Sequence, residues 1–231
     1  MILKAEDIHT YYGDSYILQG ISFDLKPGMV LGFLGRNGVG KTTLMHSLIG
    51  LVPPRRGKVT FLGQDLTGKM PYEIVRQGMA LVPQGREIFP SLNVVENLTV
   101  GHRPVEGGWG LEQIYEIFPR LAERKEHMGT KLSGGEQQML AVGRSLMTNP
   151  KLILMDEPTE GLSPLYVQTI GEVIQKLKES GMTIILVEQN LRFALRNADY
   201  VHIINKGAIV HSSGPDELNA DSEIKQKYLG V

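Results

Sequence analysis

The chain begins with alternation. From Ile2 to His9, and again from Ile17 to Leu25, polar and apolar residues take turns around the turn signal Tyr12-Gly13-Asp14-Ser15. Successive side chains on a strand point to opposite faces, so the pattern predicts two half-buried antiparallel strands. Lys58-Val59-Thr60-Phe61-Leu62 continues the theme after the turn at Pro53-Pro54-Arg55-Arg56-Gly57. Four other runs are continuously apolar: Met29–Leu34, Met79–Val82, Leu152–Met155 and Thr183–Val187. Their length and β-branched content suit strands covered on both faces, as in a parallel sheet. Between the last two, Leu165–Lys178 places Val167, Ile170, Val173, Ile174 and Leu177 on one helical face. Strand, helix and strand in that order make a βαβ unit.

The segment 90–131 has a different texture. Glu, Arg, Leu and Ile dominate, with Asn97, Gly101, Gly107-Gly108 and Pro119 as punctuation, and strand signals are missing. It reads as part of a small α-helical insertion standing on an α/β core. Tyr200–Ile204 and Ala208–His211, joined by Asn205-Lys206-Gly207, predict a terminal hairpin. Residues 215–229 read as a short helical tail. The expected organisation is one domain over 1–231: an antiparallel β and α/β core from 1–89 and 146–214, a helical insertion over 90–145, and a tail over 215–231.

Composition narrows the function classes. A length of 231 residues with 42% hydrophobic and 21% charged residues is ordinary for a globular chain with a sizeable core. A net charge of −1 gives no electrostatic footprint for nucleic acid. The six histidines (His9, His46, His102, His127, His202 and His211) are scattered, and without cysteine they form no credible metal set. The start, Met1–Asp7, carries charges and no long apolar segment, so no signal peptide is expected. No uncharged apolar run approaches the ~20 residues of a membrane helix.

The sharpest chemistry is Gly35-Arg36-Asn37-Gly38-Val39-Gly40-Lys41-Thr42, a full G-x-x-x-x-G-K-[ST] string. It follows the apolar strand Met29–Leu34 and opens a helix at Thr43, the context a phosphate loop needs. Its glycines let backbone N–H groups turn toward a triphosphate at a helix start already favourable for anions. Lys41 then reaches the β- and γ-phosphates, and Thr42 ligates Mg²⁺. The fold class follows as α/β, a P-loop NTPase core with a mostly parallel sheet, an N-terminal antiparallel β subdomain and the helical insertion.

A second apolar strand ends in the carboxylates Asp156 and Glu157. Alternation along an extended chain sends them different ways, so Asp156 is assigned to the metal and Glu157 to the attacking water. The string Leu132-Ser133-Gly134-Gly135-Glu136 precedes an apolar helical stretch, Met139–Met147. Ser133 and Glu136 can form a capping box, and capping alone accounts for both. It does not account for two glycines in the first turn, each costing ~1 kcal/mol against alanine. Close backbone approach by a ligand is the alternative.

The phosphate loop, the LSGGE string, the LILMDE strand, Gln84 in Leu81-Val82-Pro83-Gln84 and the order of all four resemble the ATP-binding cassette (ABC) ATPases over essentially the whole chain. The LSGG string is that family's own marker. The resemblance implies a head-to-tail dimer with two ATPs at the interface. Each ATP is held by the phosphate loop of one subunit and by Ser133, Gly134, Gly135 and Glu136 of the other. Gln84 matches a glutamine that senses Mg²⁺ and couples to a membrane partner, and Tyr12 matches an aromatic that stacks on adenine.

Three positions depart from the pattern. Gln189 stands where the family keeps a switch histidine, and it can hydrogen-bond near a γ-phosphate without holding a proton as imidazole does. Glu136 replaces a glutamine, and Pro158–Ser163 lacks the aspartate usual in the loop facing the opposite subunit. The Val187-Glu188-Gln189-Asn190 string and SGGEQQMLA look like the subgroup that energises uptake of branched-chain amino acids, with leanings toward its urea or short-amide branch. The expectation is therefore an ATPase working with Mg²⁺, a second ABC ATPase subunit, separate transmembrane permease subunits and, indirectly, a solute-binding protein. Its place would be peripheral, at the cytoplasmic face of a prokaryotic inner membrane. A soluble non-transport ABC ATPase and a regulatory cassette that binds ATP without turnover remain the alternatives.

Overall fold

A computed structural model describes residues 1–230. Two sheets carry the fold. The first holds β1 (Leu3–Tyr12), β2 (Ser15–Leu25), β4 (Arg56–Phe61) and the short β5 (Gln64–Asp65), in the order β2-β1-β4-β5 with antiparallel pairing. The second holds six strands in the order β10-β9-β3-β8-β7-β6. Here β3 (Val30–Leu34), β6 (Met79–Val82), β7 (Leu152–Asp156), β8 (Thr183–Glu188) and β9 (Tyr200–Asn205) pair in parallel, and β10 (Ala208–Ser213) returns antiparallel to β9.

The three central strands β3, β8 and β7 are buried at every position, which is why their sequences are continuously apolar rather than alternating. Alternation persists in their packing. On β3, Val30 and Leu34 join one core, and Leu31 and Phe33 join the other. One core lies between the six-stranded sheet and the antiparallel sheet, together with α1 (Lys41–Leu48) and α2 (Pro71–Gln77). The other receives α6 (Gly134–Leu146), α7 (Pro164–Glu179) and α8 (Leu191–Asn197). Helix α7 buries Ile170, Val173, Ile174 and Leu177, four of the five positions the sequence periodicity selects, while Val167 is half-buried.

Between β6 and β7 the chain is helical: α3 (Val94–Thr99), α4 (Leu111–Ile117), α5 (Pro119–Glu123), a 3₁₀ turn at Gly129–Lys131 and then α6. Asn93 caps α3 through the Glu96 N–H, and one isolated bridge, Asn93 to Met128, closes the segment's base. Helix α6 is shared between this segment and the sheet, because Ser145 donates to the Leu81 carbonyl of β6 at 3.0 Å. The C-terminus forms α9 (Pro215–Ala220), α10 (Ser222–Ile224) and a π turn at Lys225–Leu229. Val231, the last residue of the expected tail, lies outside the described residues. Among the described residues no helix is long and apolar enough to cross a membrane.

Candidate active site

Strand β3 ends at Leu34, and residues 35–40 wrap the start of α1 before Lys41 opens it. Gly40 sits there at φ 110°, in the region that glycine adopts without strain, and its carbonyl accepts the Leu44 N–H. The terminal hairpin supports the loop from behind. Gly207 donates its N–H to the Val39 carbonyl at 2.9 Å, and a Cβ on Gly207 would meet the Ile17 carbonyl oxygen at 1.8 Å. Only glycine fits that approach. The loop borders a cleft of about 390 Å³ lined by Ile17, Asn37, Gly38, Gly40, Lys41, Thr42, Thr43, Gln84 and Glu157.

Lys41 is buried at the cleft floor. Its ammonium donates to the Gly35 carbonyl at 2.8 Å and the Arg36 carbonyl at 3.0 Å, and lies 3.1 Å from Glu157 Oε1. The other oxygen of Glu157 accepts the Gln189 amide at 2.8 Å and is 3.5 Å from Gln84 Nε2, whose stronger bond, 2.9 Å, goes to Glu160. Residues far apart in sequence thus converge on one carboxylate.

The two acids do not diverge as simple alternation predicts. Asp156 ends β7, but Glu157 has φ 48°, a left-handed backbone rare for a side-chain-bearing residue, and its N–H bonds the Val187 carbonyl at 2.9 Å. This kink turns Glu157 onto Lys41 while Asp156 faces Thr42. Burial pushes the Asp156 carboxyl up to about 6, against the opposing hydrogen bond from the Thr42 hydroxyl, and the Glu157 charge pushes the same way as burial. Its Oδ1 is buried with no hydrogen-bond partner. A buried, orphaned carboxylate oxygen beside a threonine hydroxyl in a phosphate-loop cleft is a donor set that fits a hard divalent cation.

Ser133, Gly134, Gly135 and Glu136 start α6 and are not among the residues lining this cleft. The capping box is present: Ser133 Oγ accepts the Glu136 N–H at 3.3 Å, and Glu136 accepts the Ser133 N–H at 2.8 Å. The first-turn glycines have neighbours within the chain that sequence reasoning did not foresee. A Cβ on Gly135 would lie 2.2–2.4 Å from ring carbons of Tyr166, and one on Gly134 would lie 3.0–3.2 Å from the Arg86 guanidinium. Close packing inside the chain therefore accounts for Gly135 without a ligand. Tyr166 also places its hydroxyl 3.3 Å from Ser133 Oγ.

Tyr12 stands at the β1–β2 turn, 46% exposed, with its hydroxyl 3.4 Å from His46 Nδ1 on α1. It borders the helix that leaves the cleft but does not line the cleft, whereas Ile17 does. Besides Ile17, Arg86 and Tyr166, sequence reasoning missed Thr159, Glu160 and Glu188. Glu188 enters the sequence reading only inside the Val187–Asn190 string, with no role of its own, since a charge at the end of an apolar strand normally means a solvated strand end.

These features define the class: a P-loop ATPase, with its phosphate loop, lysine and acidic strand end assembled at the carboxyl edge of a parallel sheet. A sequence model described as ABC transporter matches residues 18–160, and the chain belongs to that family as an ATP-hydrolysing, nucleotide-binding subunit. It is 39% identical over 232 residues to the high-affinity branched-chain amino acid transport ATP-binding protein BraG of Pseudomonas aeruginosa, covering 99% of this chain and 100% of that one. It is 30% identical over 234 residues to the lipopolysaccharide export system ATP-binding protein LptB of Escherichia coli, covering 99% and 97%. Among solved structures, a nucleotide-free ATP-binding cassette from an ABC transporter superposes with a TM-score of 0.86 at 28% identity, covering 100% of this chain and 98% of that one. An ATP-binding cassette of an ABC transporter in its ADP conformation gives 0.83 at 28% identity, covering 100% and 99%.

Proposed function

We propose that this chain is the motor subunit of an ABC importer for branched-chain amino acids or small amides such as urea, hydrolysing ATP to drive separate transmembrane permease subunits. The observation that carries the importer reading is the full-length similarity to BraG, at 39% identity against 30% for LptB. Gln84 and Phe89, the latter 46% exposed beneath the Arg144 guanidinium, offer the permease a surface on the edge of the helical segment. We read the chain as one cassette in which 90–145 is the helical insertion on the 1–89 and 146–214 core, followed by the tail from 215.

Hydrolysis is assigned to the convergent carboxylate. On ATP binding, Lys41 leaves Glu157 for the β- and γ-phosphates, cradled by residues 35–43. Freed Glu157, still held by Gln189, orients the attacking water and accepts its proton. A Mg²⁺ ion held by Thr42 and Asp156, with Gln84 nearby, would supply charge neutralisation at the phosphate oxygens. Tyr12, exposed beside α1 and outside the cleft lining, is assigned the aromatic face for adenine. Ser133, Gly134, Gly135 and Glu136 serve the ATP of a second subunit, same or different, in a head-to-tail dimer. Their separation from the cleft of their own chain supports this division of labour. The complex works peripherally at the inner membrane, with a solute-binding protein as indirect partner.

The test is reconstitution. Co-expressed with candidate permease pairs, the chain should co-purify with one of them, and its ATPase should rise when a solute-binding protein loaded with leucine or with urea is added. Stimulation by neither solute would overturn the substrate reading while leaving the ATPase intact.

A further inference from the structure

Glu188 ends β8 with only 2% of its surface exposed, yet it takes no part in the hydrolytic scheme above. Its carboxylate is nonetheless fully engaged. Oε1 accepts the Thr159 hydroxyl at 2.8 Å and the Thr159 N–H at 3.2 Å, and Oε2 accepts the Asn190 N–H at 3.3 Å. A buried acid is expensive unless it is bonded this way, and here the bonds run to two different loops. Thr159 belongs to the segment that leaves Glu157 and reaches the start of α7. Asn190 follows Gln189 and caps α8 by accepting the Phe193 N–H at 3.1 Å.

Glu157 needs such support. At φ 48° it occupies backbone space that a side chain disfavours, a conformation that persists only where the surroundings over-determine it. On its N-terminal side β7 holds it, and its own N–H is tied to Val187. On its C-terminal side the chain leaves through Pro158, and Glu188 grips the next residue twice. The Glu157 side chain is held in turn by Gln189, the neighbour of Glu188.

From this geometry we infer that Glu188 is a positioning residue for hydrolysis, a buried clamp that locks the Thr159 segment to the Gln189 segment and so fixes Glu157 between them. The inference rests on the reading that Glu157 orients the attacking water. It goes beyond that reading by assigning to Glu188 and Thr159 the precision with which Glu157 is held. Because neither residue lines the phosphate-loop cleft, their loss should act on turnover and spare binding.

The test uses the full chain with the variants Glu188→Ala, Thr159→Val, Thr159→Ser and the double variant Glu188→Ala/Thr159→Val. Steady-state ATP hydrolysis gives kcat and KM, and calorimetry gives the ATP Kd. Glu188→Ala is expected to lower kcat about tenfold, the rate equivalent of one ordinary hydrogen bond. KM and Kd should stay within about twofold. Thr159→Val, which removes only the hydroxyl, should lower kcat about threefold, and Thr159→Ser should restore it. The double variant should match Glu188→Ala alone, since both changes break one clamp. If Glu188→Ala does not fold, the contrast between the isosteric valine and the hydroxyl-bearing serine at 159 carries the test. Wild-type kcat in folded Glu188→Ala, or equal kcat for the valine and serine variants, overturns the inference. Glu157→Gln is the control that separates the two readings. If it hydrolyses ATP at the wild-type rate, the assignment of Glu157 fails. If it is inactive while the clamp variants keep full activity, the clamp alone fails.

Discussion

The contact between Lys41 and Glu157 makes a prediction that a phosphate-loop motif alone does not. The two charges lie 3.1 Å apart with side-chain exposures of 4% and 5%, so neither is solvated when the other is removed. Breaking a buried pair by deleting one partner typically costs about 3–5 kcal/mol. In Glu157→Gln, Lys41 keeps its bonds to the Gly35 and Arg36 carbonyls, which places the expected loss at the lower end, about 3 kcal/mol. For a chain of this size that corresponds to a fall in Tm of about 6–12 °C in the absence of nucleotide. ATP binding must break the same pair in the wild type, because the ammonium cannot serve both Glu157 and the phosphates. The variant is spared that step. Since Glu157 keeps part of its value in the bound state by facing the attacking water, about half of the loss should return on binding: ATP affinity should rise by about tenfold, the equivalent of 1.4 kcal/mol. Thermal unfolding with and without nucleotide, and calorimetric titration at concentrations where sedimentation shows monomer, measure both effects. A double-mutant cycle with Lys41→Ala should show that most of the loss belongs to the pair. A Glu157→Gln protein with wild-type Tm and ATP Kd would refute the reasoning, since the pair would then contribute nothing to be exchanged for phosphate.

Three further outcomes follow from neighbouring residues. Burial raises the Glu188 carboxyl to about 7 from an ordinary 4.5, so between those values the folded protein binds more protons than the unfolded chain; stability should fall by up to about 3 kcal/mol as pH rises from 4.5 to 7, and Glu188→Gln should flatten that slope in a denaturation series. Gly135→Ala should destabilise the protein by about 1–3 kcal/mol through collision with the Tyr166 ring, and Tyr166→Ala in the same chain should relieve most of that cost. Asp156→Asn should leave nucleotide binding measurable without Mg²⁺ while lowering Mg²⁺-dependent turnover by about 10² or more, with a magnesium titration as the check.

The legibility of this chain divides along the range of its interactions. The continuous apolar strands, the α7 face, the terminal hairpin and the phosphate loop rest on neighbours in sequence, and each lies where the pattern predicts. What sequence did not show depends on long-range closure. The kink at Glu157 reverses the expectation from strand alternation, because a left-handed residue takes a conformation that no local propensity favours. Glu188 looks like a solvated charge until Thr159 is brought against it across 29 positions. Gly135 suggested a ligand, and the first occupant of its vacant Cβ space is Tyr166 from the same chain. That substitution of an internal neighbour for an external one leaves Gly134 and Ser133 as the residues on which the two-subunit reading turns.

The most direct test of that reading is complementation between two inactive chains. Ser133→Arg places a long side chain at the α6 start, and Lys41→Ala removes the phosphate-binding ammonium; each protein alone is expected to be inactive. In a mixed dimer one site carries both defects and the other carries neither. Mixing equal amounts, with mixed dimers verified by differential tags, should restore hydrolysis to about a quarter of wild type, since half the dimers are mixed and each has one intact site. Ser133→Arg protein that hydrolyses ATP by itself, losing only the ~1 kcal/mol of a helix cap, would contradict the account, as would verified mixed dimers that stay inactive.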